Sequence, residues 1–389
     1  MSLNKLEKEL FNISEYLVGF DESLLDTIGV RYGKLGVALF HLFFFKHYKI
    51  DSHKIKGHNI ILSAFEDVMN NKISNKRTIE NIVDFGKTME ILKNLNFYYS
   101  DTNSYLADLD ESLFEECKIL LDDEKDYDIV GGALSIGFYF IERYHSNKKV
   151  KVYLEEIIQN LYSISTETET GSIFWTSALF DKDRIYIGVH GSCSIIMFAY
   201  KLLELGISPL ICQNIITSGI KFVVESIHDH PLCFFPIVIG YKIEKGPLEW
   251  VYGDLYVGYT LNIIGEYLKN ENFITLSKSV YDRALTRINE EQIVADAGVV
   301  HGITGTSLMF YNMFLKMDSS KYRSISIDCC NKIFNFKNNE SEYLGYKAKY
   351  DIDIPGSDIS LSSGLSGIGI SIISLIKNDV SLINKFLFI

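Results

Sequence analysis

Residues 188–203 read GVHGSCSIIMFAYKLL: a glycine, a histidine, a second glycine, then a dozen residues that are almost wholly apolar. The same pattern recurs along the chain. Gly33 opens GKLGVALFHLFFF and Gly132 opens GALSIGFYFI. Gly253 opens GDLYVGYTLNII, Gly302 opens GITGTSLMFYNMF, and Gly364 opens GLSGIGISIISLI. The interval from Gly33 to Gly132 is about double the others, and a worn copy fits inside it at Asn81, NIVDFGKTMEIL, which keeps only Gly86. Unit starts then fall at 33, 81, 132, 191, 253, 302 and 364, spaced 48, 51, 59, 62, 49 and 62. Between them lie amphipathic stretches such as Lys151–Ser163, where Val152, Ile157, Ile158 and Leu161 stand among charges, and Pro209–Ser226 and Asn270–Ile288. Each unit therefore reads as two helices. The nearly all-apolar one must be shielded on every side, and the amphipathic one needs one face covered. Two concentric rings meet both demands, so the repeat predicts an all-α (α/α)7 barrel or toroid filling residues 1–389 as one domain, with the glycine-led helices inside. Glycine at each inner start allows close backbone approach and is expected to leave free N–H groups around a central mouth.

The remaining composition narrows the function classes. The chain has 389 residues, 47% hydrophobic, with 38 Lys+Arg against 50 Asp+Glu and a net charge of −12. That length and apolar content support a large buried core, and the acidic balance argues against binding nucleic-acid phosphates. The six cysteines (117, 193, 212, 233, 329 and 330) contain no C-x-x-C pair and read as reduced thiols. Met1–Glu9 is polar with no secretion-type apolar region after it, and Val37–Phe45 is too short to span a bilayer. A cytoplasmic location without a membrane span is expected.

Several of these motifs together resemble the lanthionine synthetase C-like (LanC) family of lanthipeptide maturation. They are Gly188-Val-His190-Gly191, Trp250-Val-Tyr252-Gly253, Val300-His301-Gly302, the segment Leu361-Ser-Ser-Gly364-Leu-Ser-Gly367-Ile-Gly369, and Tyr127-Asp128-Ile-Val. The resemblance covers almost the whole chain. It implies a helical toroid that adds cysteine thiols of a precursor peptide to dehydroalanine or dehydrobutyrine, closing thioether rings. A dehydratase or another peptide-modifying enzyme is an implied partner.

The family's zinc ion turns the substrate thiol into thiolate. Its ligands are the Cys of a Trp-Cys-Tyr-Gly motif and the Cys and His of a Cys-His-Gly motif. Those cysteine positions fall on Val251 and Val300, and only His301 matches, so zinc is not expected and no other cofactor is implied. A family arginine falls on Pro247. His190 matches a family acid/base histidine, Asp128 a family aspartate, and Tyr252 the tyrosine after the first cysteine; all three are candidate catalytic residues converging on one mouth.

Plain readings stand beside these. His190 can cap a helix, Asp128 can serve a helix start, Tyr252 can be packing, and His301 can be a hydrogen-bonding remnant. A different metal set of His190, Cys193, His301 and Asp254 is in the wrong register for the family's ligands. Cys329-Cys330 reads as buried, and His228-Asp-His230, which precedes Pro231, reads as a loop without further ligands nearby. Three functions remain. One is a zinc-independent cyclase, another is a non-catalytic scaffold holding a precursor peptide or partner enzyme, and the last is a carbohydrate-active toroid using Asp128 and Asp254.

Overall fold

The computed structural model describes all residues except 1–2, 71–77, 98–100, 123–125, 179–182, 229, 242–245, 291–292, 339–341 and 351–352. The seven apolar segments form inner helices: α2 (Lys34–Tyr48), α4 (Thr78–Asn94), α6 (Ala133–Arg143), α8 (Ser192–Glu204), α10 (Asp254–Leu268), α12 (Ile303–Met317) and α14 (Leu365–Lys377). Each packs on the next, and α14 returns to α2, so the ring closes. Their surfaces are buried nearly all round, as in α8, where the run from Ser192 to Ala199 is buried without a break. The outer ring follows the amphipathic stretches: α3 (Asp51–Met69), α5 (Asn103–Asp122), α7 (Lys151–Ser163), α9 (Pro209–Glu225), α11 (Glu271–Arg287) and α13 (Ser320–Asn331). The architecture is the expected α/α toroid of seven helix pairs.

The seventh outer place is filled from the other end of the chain. Helix α1 (Leu3–Gly19) packs on α14. Its buried residues Leu6, Leu10, Ile13 and Leu17 recur every three to four positions, which gives it one apolar stripe. A short helix, α15 (Ile383–Phe386), follows α14, and a two-stranded antiparallel hairpin, β1 (Thr166–Glu167) with β2 (Ile173–Phe174), lies beside α9. No described helix is long and apolar enough to cross a membrane.

The helix starts differ from expectation in one respect. At α2, α6, α8, α12 and α14 the first helix N–H groups are not all free, because the loop before the glycine folds back over the helix start. Ser192 N donates to Tyr186 O at 3.1 Å and Cys193 N to Ile187 O at 2.9 Å. Lys34 N likewise donates to Thr27 O, Ala133 N to Asp126 O and Ile303 N to Asp296 O. Glycine is required for this contact: a Cβ at Gly191 would lie 1.9 Å from Tyr186 O. Unmatched helix N–H groups inside a core are costly, and the looped-back carbonyls satisfy them.

Helix α4 is the exception that the worn copy foreshadowed. It begins at Thr78, so Asn81 lies inside the first turns and is not a cap. Its side chains instead hold the loop before α2. Asn81 Oδ1 accepts from Gly29 N at 2.9 Å, and Asp84 Oδ2 accepts from Val30 N at 2.7 Å.

Candidate active site

The loops leading into the inner helices surround a cavity of about 320 Å³ on the toroid axis. All four retained motif residues, Asp128, His190, Tyr252 and His301, line it. Asp128 is fixed first: its Oδ1 accepts from Val130 N at 2.8 Å within its own turn. Its Oδ2 lies 2.6 Å from His190 Nδ1. The carboxylate side chain is 1% exposed and the imidazole 10%. A buried carboxylate on Nδ1 favours the tautomer with hydrogen there and leaves Nε2 as the acceptor a substrate can use.

Tyr252 stands between two imidazoles. Its ring centroid is 5.4 Å from that of His190 and 5.6 Å from that of His301. Burial, reinforced by the charges of Asp128, Tyr186 and Glu249, pushes its phenol up to about 12, so the hydroxyl keeps its proton near neutrality. His301 makes a second histidine–carboxylate pair, with Nδ1 3.0 Å from Glu249 Oε2. Glu249 immediately precedes Trp250 and was not singled out in the sequence, because no motif position calls for an acid there.

Val251 and Val300 also line the cavity. Two aliphatic side chains and one imidazole offer a single donor at these three positions, a poor set for zinc, which needs four nitrogen, sulfur or oxygen donors. Among the described residues, no group of three or more His, Cys, Asp or Glu side chains is placed to hold a metal ion. The second metal set is not assembled. Cys193 is buried in the core, and burial pushes its thiol up to about 12. Asp254 accepts from Phe234 N at 2.6 Å and Phe235 N at 3.4 Å, which makes it an anchor for that loop. The same anchoring removes Asp254 from a carboxylate pair with Asp128 in this cavity, as the carbohydrate reading required.

All six cysteines are free and buried, Cys329 and Cys330 included. Cys233 corrects one expectation, since its Sγ lies 3.5 Å from His228 Nε2 and 3.7 Å from His230 Nδ1. His228 and His230 thus have a sulfur neighbour that sequence spacing did not suggest. His230 Nδ1 already accepts from Leu232 N at 3.2 Å, and Asp229 lies outside the described residues.

The other cavity walls come from residues the sequence reading passed over. The loop before α2 brings Arg31, and helix α4 brings Glu80, Asp84 and Lys87. Phe386, Leu387 and Phe388 form part of the lining from the last segment of the chain.

The profile of a family described as "Lanthionine synthetase C-like protein" matches residues 27–388. No curated protein matches the chain in sequence. Among solved structures, one titled "Nisin cyclase" superposes with a TM-score of 0.73 at 13% sequence identity, over 99% of this chain and 96% of that one. The matched family profile, the seven-pair toroid and the motif residues gathered at one mouth lead to one conclusion: the chain belongs to the lanthionine synthetase C-like family.

Proposed function

We propose that this protein closes thioether rings in a dehydrated precursor peptide without a metal ion. A peptide cysteine thiol adds to dehydroalanine or dehydrobutyrine, with His190 Nε2 accepting the thiol proton. Asp128 holds the imidazole in the required tautomer and stabilises the imidazolium that forms. The observation that carries the reading is the 2.6 Å His190–Asp128 pair facing an axial cavity, beside two valines where the family places zinc-bound cysteines. A free thiol titrates near 8.5, so a correctly placed base can replace part of what a metal supplies. The volume suits a few side chains of a peptide, and the aliphatic part of its lining, Val251 and Val300 included, suits a neutral alkene. A dehydratase acting before this step supplies the alkene and is the expected partner.

Purified protein incubated with dehydrated precursor should consume free thiols faster than buffer does, and should do so equally after treatment with a zinc chelator. His190→Ala should slow ring closure by about 100-fold or more. A rate equal to buffer removes the enzyme reading, and a rate abolished by chelation and restored by zinc removes the metal-free one. A second reading, a non-catalytic scaffold for a precursor peptide or partner enzyme, is favoured by the loss of three family positions, Val251 and Val300 in the cavity and Pro247 outside its lining. It predicts peptide binding without turnover, unchanged by His190→Ala.

A further inference from the structure

Ring closure needs two proton transfers, one off sulfur and one onto carbon, and the His190–Asp128 pair accounts for the first. The backbone amides that could have helped on that side are engaged, since Ser192 N and Cys193 N donate to the loop before them. Around the inner ring, α4 occupies the second place, whereas His190 and Tyr252 stand at the starts of the fourth and fifth helices. Glu80, Asp84 and Lys87 recur along α4 at four- and three-residue steps, so one helical face presents all three to the cavity. Neither Asp84 nor Lys87 has a role in the motifs that identify the family.

The surroundings of this pair suit an acid. Asp84 is half-buried and lines the cavity, and among the described residues its Oδ2 accepts from Val30 N while Oδ1 has no hydrogen-bond partner. Burial, together with the charge of Glu80, holds its carboxyl well above the usual carboxylate range, against the opposing pull of the Val30 N–H, Lys87 and Arg31. Lys87 is buried; its Nζ donates to Lys385 O at 2.8 Å and sits 4.2 Å from the ring centre of Phe388. Burial holds the ammonium below its ordinary range, with Glu142 and Asp84 pulling it up and Lys385 pushing it down.

Resting on the cyclase reading above, we propose that Asp84 is the acid that protonates the α-carbon during ring closure, with Lys87 as the positioning residue that stabilises the carboxylate left behind. The thiol proton passes to His190 Nε2 as the sulfur electron pair forms the S–Cβ bond. The alkene π pair moves onto Cα and the adjoining carbonyl as an enolate, and the Asp84 carboxylic acid gives its proton to Cα. His190 ends as imidazolium and Asp84 as carboxylate, and solvent returns the proton from the first to the second between turnovers. With base and acid on different walls, sulfur and hydrogen arrive on opposite faces of the alkene, whereas His190 acting twice would deliver both to one face.

The test uses the full chain and a dehydrated precursor peptide carrying one dehydrobutyrine, which records relative configuration at Cα and Cβ. The wild-type protein should speed closure and give the anti adduct. D84N, whose amide oxygen can still accept from Val30 N, should slow closure at least about 10-fold. It should also yield mixed configurations at Cα and lose the alkaline limb of the pH–rate profile, with an unchanged circular dichroism spectrum. Asp84→Glu keeps a carboxyl and should recover part of the rate and of the stereochemical preference; it serves as the second variant if D84N melts below assay temperature. D84N with wild-type rate and a single adduct overturns the proposal while leaving His190 as base, and so does a syn adduct from the wild-type protein. A wild-type chain that does not beat buffer is read first and overturns the cyclase reading together with this one.

Discussion

At the scale of single residues, the site is organised by two carboxylates that each hold an imidazole by Nδ1, Asp128 on His190 and Glu249 on His301. The first pair carries the proposed proton transfer, so Asp128→Asn should lower the rate of ring closure by about 100-fold with little change in melting temperature. Single-turnover kinetics beside a thermal melt checks both. Tyr252 makes its main contacts through its ring, between the two imidazoles, and Tyr252→Phe should reduce the rate only a few fold in the same assay. Val251, Val300, His190, Asp128, Tyr252 and His301 could all be placed from the sequence because each sits at a fixed offset from a recurring glycine. Asp84 and Glu249 could not. Asp84 owes its environment to Val30, 54 residues earlier, and Glu249 acts on a histidine 52 residues later; no local pattern encodes either distance.

At the scale of elements, the glycine-led starts work by close approach. Gly191→Ala should destabilise the fold by about 3 kcal/mol or more, because the added Cβ would fall 1.9 Å from the Tyr186 carbonyl in a backbone that has no room to yield. Gly19→Ala meets nothing within 4 Å and should be neutral or stabilising by up to about 1 kcal/mol; urea titrations of both variants make the comparison.

The turn between α2 and α3 carries a pH dependence. His41 and His53 are buried with their Nδ1 atoms 2.8 Å apart, one donating and the other accepting. Burial, helped by the neighbouring His53 and Lys56, pulls His41 down to about 3, and burial pulls His53 down to about 4. Both titrate lower folded than unfolded, so on acidification the unfolded chain takes up protons first. The stability they contribute is complete above pH 6.5 and drains away as the pH falls toward 4. Other buried groups pull the opposite way, Asp254 among them at about 6, so the difference between chains isolates the pair. Between pH 7 and 4.5 the wild-type protein should lose about 5 kcal/mol more than a His41→Met/His53→Met double variant, by urea unfolding at each pH.

The inner helices were legible because an all-apolar helix leaves an unmistakable run. Helix α4 was less so, since it trades the glycine cap for side chains that grip a neighbouring loop. Helix α1 was missed: its polar start hid a stripe of only four apolar residues, and its partner α14 comes at the far end of the sequence.

At the scale of the whole molecule, the segment after α14 reaches the axial cavity, which Phe386, Leu387 and Phe388 line, and ties the inner helices together. Lys385 pairs with Glu142 of α6 at 2.6 Å, Asn384 and Asn312 of α12 exchange amide hydrogen bonds at 2.8 and 3.0 Å, and Tyr256 of α10 donates to Phe388 O at 3.2 Å. Removing residues 384–389 should therefore uncover Lys87, which loses its carbonyl acceptor and the ring of Phe388. Mass-spectrometric footprinting with an amine reagent at pH 8 should show Lys87 unlabelled in the full chain and labelled in the shortened one, together with a fall in melting temperature of several degrees.

The same molecule sets a timetable for its own synthesis. Helix α1 leaves the ribosome before the other helices of the ring, yet the surface it covers belongs to α14, some 350 residues further on. At ordinary translation speeds that interval is roughly 20–70 s. Throughout it, Leu6, Leu10, Ile13 and Leu17 have no native neighbour on α14, so this apolar stripe waits uncovered on that side and the ring is completed only when the last inner helix is released.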